Sequence, residues 1–254
     1  MTMERRVLAG WIGGLPPPGA ETAPSQPAGG QRSTVARGKL DGLSFARFVA
    51  DLARVELSDR AVNQYCESAV RRRNLRLYLE EIEAVGPRLM LVGEAVSYRG
   101  GRLTGIPFVS ESVMLCGVDG ADGRRILGAE RGYAKADLAT RVSTEASATM
   151  VWATIRHLDP IPLLWNAFPF HPFHRGNPHS NRMPAAGELA IGERFIVRLL
   201  RLFPAIARVV AIGNHADRTL SRLGVAHDKV RHPSQGGKRL FIDGMARLSQ
   251  TMRP

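Results

Sequence analysis

The chain has 254 residues, 44% of them hydrophobic, enough to bury one sizeable α/β core with a tail, or at most two small domains. Thirty-five Lys and Arg against 23 Asp and Glu leave a formal charge of +12 and a sequence pI near 10.8, a field suited to polyanions such as nucleic acid, an anionic membrane surface or a phosphorylated ligand. Two cysteines without a CxxC pair argue against a disulfide framework, a zinc site or an iron–sulfur cluster and fit a reducing cytoplasm, and no run reaches the ~20 apolar residues needed to span a bilayer.

In chain order, "MTMERRVLAGWIGGL" places two arginines before a short apolar run, but no convincing cleavage site follows. Residues 13–39 are rich in Pro, Gly, Ser and Ala and bury too little apolar surface to offset ordering entropy. The expectation is a disordered Pro/Gly-rich tail over 1–39 and one domain over 40–254. "LSFARFVADLARVEL" has helical spacing at Phe45, Phe48, Val49 and Leu52, with Ser44 as N-cap. Ser58 is expected to cap a second helix running toward Gly86-Pro87, with Val62, Tyr65, Ala69, Leu79 and Ile82 inward.

The period then changes. "RLMLVG" (88–93), "IPLLWNAF" (161–168) and "ARVVAIG" (207–213) are short apolar runs ending in a small or polar residue, and "KVRHPS" (229–234) is a weaker fourth. Helical patterns lie between them, one starting around Thr144, one over 185–203, and "HADRTLSRLG", stopped at Gly224. The stretch 117–135 is a Gly- and charge-rich excursion. Strands alternating with helices predict a mostly parallel sheet covered on both faces, with ligands bound where loops leave the carboxyl ends of the strands.

Three segments sit at those ends: "GEAVSYR" (93–99), "NAFPFHP" (166–172) and "HPSQGGK" (232–238). Together they offer small residues, an amide, an aromatic and a histidine, ringed by Arg99, Arg102, Arg182, Lys238 and Arg239. "VGEA…TGIPF", "LLWNAFPFHP" and "RHPSQGG", in this order and spacing, resemble the uracil-DNA glycosylase superfamily over about residues 85–250. The resemblance implies a three-layer α/β/α sandwich around a four-stranded parallel sheet. It also implies a monomeric repair enzyme that removes uracil from DNA by base flipping, leaving an abasic site, with no metal or organic cofactor.

Carried over residue by residue, the resemblance makes Phe108 the stacking platform for the extruded base and Asn166 the amide on its pyrimidine edge. His232 stabilises charge on uracil O2, and the amides around Gly93, Glu94, Ala95 and Val96 line the pocket. Tyr98 or Val96 supplies a wall against a 5-methyl group. DNA contacts fall to Arg99, Arg102, His171, Arg182, Ser234, Gln235, Gly236, Lys238 and Arg239, with Ser234 and the glycines after it contacting phosphate or entering the gap left by the flipped base. The sequence departs from the pattern at Ala95, where many branches carry an Asp that positions the attacking water; Glu94, Asn166 or another polar residue takes that task. Related "GEAP" branches bind an iron–sulfur cluster through four cysteines, and this chain has two.

Plainer readings exist for each residue. Glu94 can cap the next helix; Phe108 can be core; Asn166 and His232 can be turn residues. His171, His174 and His179 also suggest a metal-dependent phosphohydrolase, although no acidic residue lies in that segment. A noncatalytic binder of uracil or abasic DNA is the other alternative, favoured by Ala95.

Overall fold

The computed structural model describes residues 45–251. The tail over 1–39, the start of the domain at 40 and the cap at Ser44 lie outside them. The described chain opens in α1 (residues 45–53), which buries Phe45, Phe48, Val49 and Leu52. The single helix expected from Ser58 is instead three elements: β1 (Ala61–Val62), α2 (Gln64–Glu67) and α3 (Ala69–Val85). The cause is Asn63, whose Nδ2 donates to the carbonyls of Leu52, Ala53 and Val55 while its Oδ1 accepts from Tyr65 and Cys66. That side chain holds the chain in a bend at the end of α1 and caps α2. Ser68 then caps α3.

Next come β2 (Leu89–Ala95), α4 (Gly101–Thr104) and α5 (Glu111–Cys116), followed by the hairpin β3 (Val118–Asp119) and β4 (Arg125–Ile126) that occupies the Gly-rich excursion. The remainder is α6 (Ala146–Ile155), β5 (Leu163–Phe168), β6 (His171–Pro172), α7 (Ala186–Leu202), β7 (Arg208–Ile212), α8 (Asn214–Arg222), β8 (Asp228–Val230) and α9 (Lys238–Gln250).

The central sheet has four parallel strands in the order β5-β2-β7-β8. The chain moves from β2 to β5 in one direction and returns past β2 to β7 in the other. Right-handed crossovers in opposite directions require helices on both faces, giving the expected α/β/α sandwich. The reversal falls between β2 and β7, where such sheets open a crevice at the carboxyl ends. The core strands read as continuous apolar runs because both of their faces are covered: β5 is buried throughout, and Trp165, Phe168 and Phe170 pack with Phe48 and Phe195. Helix α7 lies directly on β5, since a Cβ at Gly192 would stand 1.8 Å from the Ala167 carbonyl oxygen. No helix among the described residues is long and apolar enough to cross a membrane.

Candidate active site at the carboxyl ends of the strands

A cavity of about 420 Å³ opens at the crevice. From β2 and the loop after it come Glu94, Ala95, Val96 and Ser97, and Phe108 follows α4. Asn166 enters from β5, directly across the ladder from Gly93, its register partner. His215 stands in the first turn of α8, and His232, Ser234 and Gln235 follow β8. The three segments singled out in the sequence therefore meet, and Phe108, Asn166 and His232 face one space.

Each of these three side chains is held. Asn166 is 2% exposed, yet its Oδ1 has no hydrogen-bond partner. A buried acceptor left unpaired costs about 1–3 kcal/mol, so the amide is held at the cavity with hydrogen-bonding capacity unspent. It is not a turn residue, because it lies within β5. Phe108 adopts φ +56, a left-handed conformation costly for a bulky residue, and the Trp152 indole N–H donates to its carbonyl at 3.0 Å. Its ring packs against Gly93, where a Cβ would come within 2.2 Å of Phe108 Cζ.

His232 receives the Ser234 backbone N–H on Nδ1 at 3.2 Å, with Ser234 Oγ 2.8 Å from the same nitrogen. A backbone amide can only donate, so Nδ1 is the acceptor and the ring proton sits on Nε2. Burial, with the Arg231 charge nearby, holds the imidazole below its usual pKa. The ring is thus a neutral donor.

Two carboxyl groups share the cavity. Glu94 lies inside β2 and caps no helix; the N-cap of α4 is Gly100, without a side-chain cap. Burial pushes its carboxyl up, while His215 opposes the shift by favouring the ionised form. Glu145, at the start of α6, lies over Gly100 and is hydrogen-bonded to Ser97; burial raises it as well. The sequence reading missed Glu145 and His215. Neither belongs to a motif, and only tertiary packing brings them to the crevice.

Several residues expected at the DNA surface are elsewhere. His171 is 0% exposed, with Nδ1 at 3.0 Å from the Val96 carbonyl and Nε2 at 3.2 Å from that of Pro178. It braces the chain from inside and cannot meet DNA. Arg182 lines the cavity but is only 9% exposed, because Glu188 takes both of its terminal nitrogens and its remaining capacity goes to the carbonyls of Phe173, Met183 and Arg60. It is a structural clamp, not a free phosphate ligand. Arg102 is half-buried and donates to the Pro178 carbonyl at 2.7 Å. Tyr98 lies outside the cavity lining, edge-on to His179 with Arg99 near its ring, which leaves Val96 as the wall. Arg99, Gln235, Gly236, Lys238 and Arg239 are exposed. Among the described residues no group of three or more His, Cys, Asp or Glu is placed to hold a metal.

No protein-family model and no curated protein matches the chain. Among solved structures, the crystal structure of wild-type SMUG2 from Pedobacter heparinus matches with a TM-score of 0.57, covering 82% of this chain and 97% of that one. The two share a fold. At 14% sequence identity the likeness to SMUG2 is one of architecture alone.

Proposed function

We propose that the protein is a DNA glycosylase that hydrolyses the N-glycosidic bond of uracil flipped out of DNA, leaving an abasic site. One observation carries the reading: the unpaired Asn166 Oδ1, buried in a cavity that it shares with the Phe108 ring and the His232 imidazole. The pairing edge of uracil carries one N–H between two carbonyls. A primary amide complements it, accepting from N3–H and donating to O4. Phe108 gives the base an apolar face to stack upon.

Bond cleavage passes through an oxocarbenium-like sugar, with negative charge growing on the departing base. His232 Nε2–H, fixed in its tautomer by Ser234, is a neutral donor for that charge at O2, and one such donor typically contributes about 10²–10³ in rate. Glu94, whose carboxyl burial pushes up and His215 draws part of the way back, is the carboxylate that holds the attacking water. Val96, 3% exposed and on the cavity wall, excludes a 5-methyl group.

The direct test is incubation with a uracil-containing oligonucleotide in EDTA, followed by alkali. Strand breakage at uracil is the expected result. A retarded but intact band would instead support the noncatalytic binder favoured by Ala95, and activity abolished by EDTA would support the metal-dependent alternative.

A further inference from the structure

The geometry points to Met183 as the side chain that enters the base stack when a nucleotide is extruded, an assignment that rests on the glycosylase reading. A base leaving a duplex opens a gap, and proteins that hold such gaps open insert an apolar wedge between the steps. The His-Pro-Ser loop cannot supply one here, because Ser234 is followed by Gln235, Gly236 and Gly237. An apolar side chain at the cavity rim must come from another segment.

Met183 lines the same cavity as Asn166 and His232, yet is 57% exposed. Its backbone is fixed from beneath. The buried Arg182–Glu188 pair anchors the turn, Arg182 Nη1 donates to the Met183 carbonyl at 2.9 Å, and the Ala185 N–H donates to Glu188 Oε2 at 2.7 Å. Pro184 is buried between them. An arginine that looked like a phosphate ligand in the sequence thus serves to present its neighbour at the mouth. Methionine suits the task, since an unbranched thioether fills irregular gaps and packs well against aromatic faces.

The test compares single-turnover uracil excision from duplex and single-stranded oligonucleotides for wild type, Met183→Ala, Met183→Leu and Gln235→Ala. A single strand has no opposing stack to hold open. The duplex-to-single-strand rate ratio should fall at least about tenfold in Met183→Ala, within the penalty of unstacking a step, and return in Met183→Leu. An unchanged ratio in Met183→Ala, or a loss found in Gln235→Ala instead, overturns the assignment. Wild-type protein that cuts uracil only in single strands overturns the wedge and leaves the glycosylase reading intact, whereas cleavage of neither substrate overturns both.

Discussion

Gly93 and Phe108 approach so closely that no side chain fits between them: a Cβ on Gly93 would stand 2.2 Å from Phe108 Cζ and 2.8 Å from Asn166 Oδ1. The ring cannot retreat freely, since its backbone is held at φ +56 with its carbonyl bonded to Trp152. Gly93→Ala should therefore displace the stacking ring and the amide together. We expect excision to fall by at least about tenfold, and stability by about 1–3 kcal/mol from overpacking. Single-turnover rates and thermal unfolding measure the two effects. Wild-type activity in this variant would mean that the Phe108 ring is not a platform for the base.

Asn166→Asp preserves shape while exchanging the Nδ2 donor for a second acceptor. Uracil O4 would then face an oxygen, and a buried acceptor would be left against another acceptor. The expected outcome is loss of uracil excision by about 10² or more, at the scale of removing one well-placed donor. Equal rates for both proteins would exclude Asn166 from base recognition.

Burial redistributes the arginines read from the sequence as a phosphate rim. Arg102 and Arg182 are committed to carbonyls and to Glu188. Lys238 and Arg239, at the first turn of α9, remain exposed, and Arg239 only approaches Asp243 at 3.8 Å. Replacing both by Ala should weaken DNA binding for every sequence and lower the slope of log K against log salt by about 0.9 for each lost phosphate contact. An unaltered slope would place the phosphates elsewhere.

How much of this was legible in the sequence follows from what each element needs. The strands β2, β5 and β7 are buried on both faces, so they read as apolar runs, and loops at their ends could be located as soon as the runs were recognised. Asn166 and His232 come together because the parallel register fixes where each strand ends, and the turn after α4 brings Phe108 back against Gly93 of β2. Glu145 and His215 were not legible, because a carboxylate before a helix and a histidine inside one carry no periodic signal. The helix expected from Ser58 failed for a related reason: Asn63 spends its amide on three carbonyls of the preceding turn, a choice made by tertiary contact. Charge was the least legible property. A guanidinium in a sequence does not reveal whether its partner is a phosphate or a buried glutamate such as Glu188.

Glu94 and Glu145 offer two candidates for the water-holding carboxylate, and their partners separate them. Burial raises both, but the Glu145 carboxyl already bonds Ser97, whereas Glu94 has no side-chain hydrogen bond among the described residues. Glu94→Gln should lower excision by about 10² or more, the contribution of a positioned base, and Glu145→Gln by less than about tenfold. Reversal of that order would move the water to Glu145.

The tautomer of His232 makes a prediction about pH. Its Nδ1 accepts the Ser234 N–H, so the resting ring is neutral, and burial with Arg231 sets its pKa below the ordinary 6.5. Protonation would place a hydrogen on Nδ1, break that bond and swing the ring away from the position in which Nε2 serves as donor. Excision should thus stay level from about pH 8 to 6.5 and decline only in more acid solution, with Glu94, shifted upward by burial, contributing to the same limb. The sign for stability agrees: a histidine lowered by folding takes its proton more readily when unfolded, so its contribution is present above pH 6.5 and is lost as the pH falls through the folded value. His232→Ala removes the donor at every pH, and the rate should drop by about 10²–10³ with the sheet intact. A wild-type rate that rises as the pH falls through 6.5 would make the imidazolium the working form and overturn the neutral-donor mechanism.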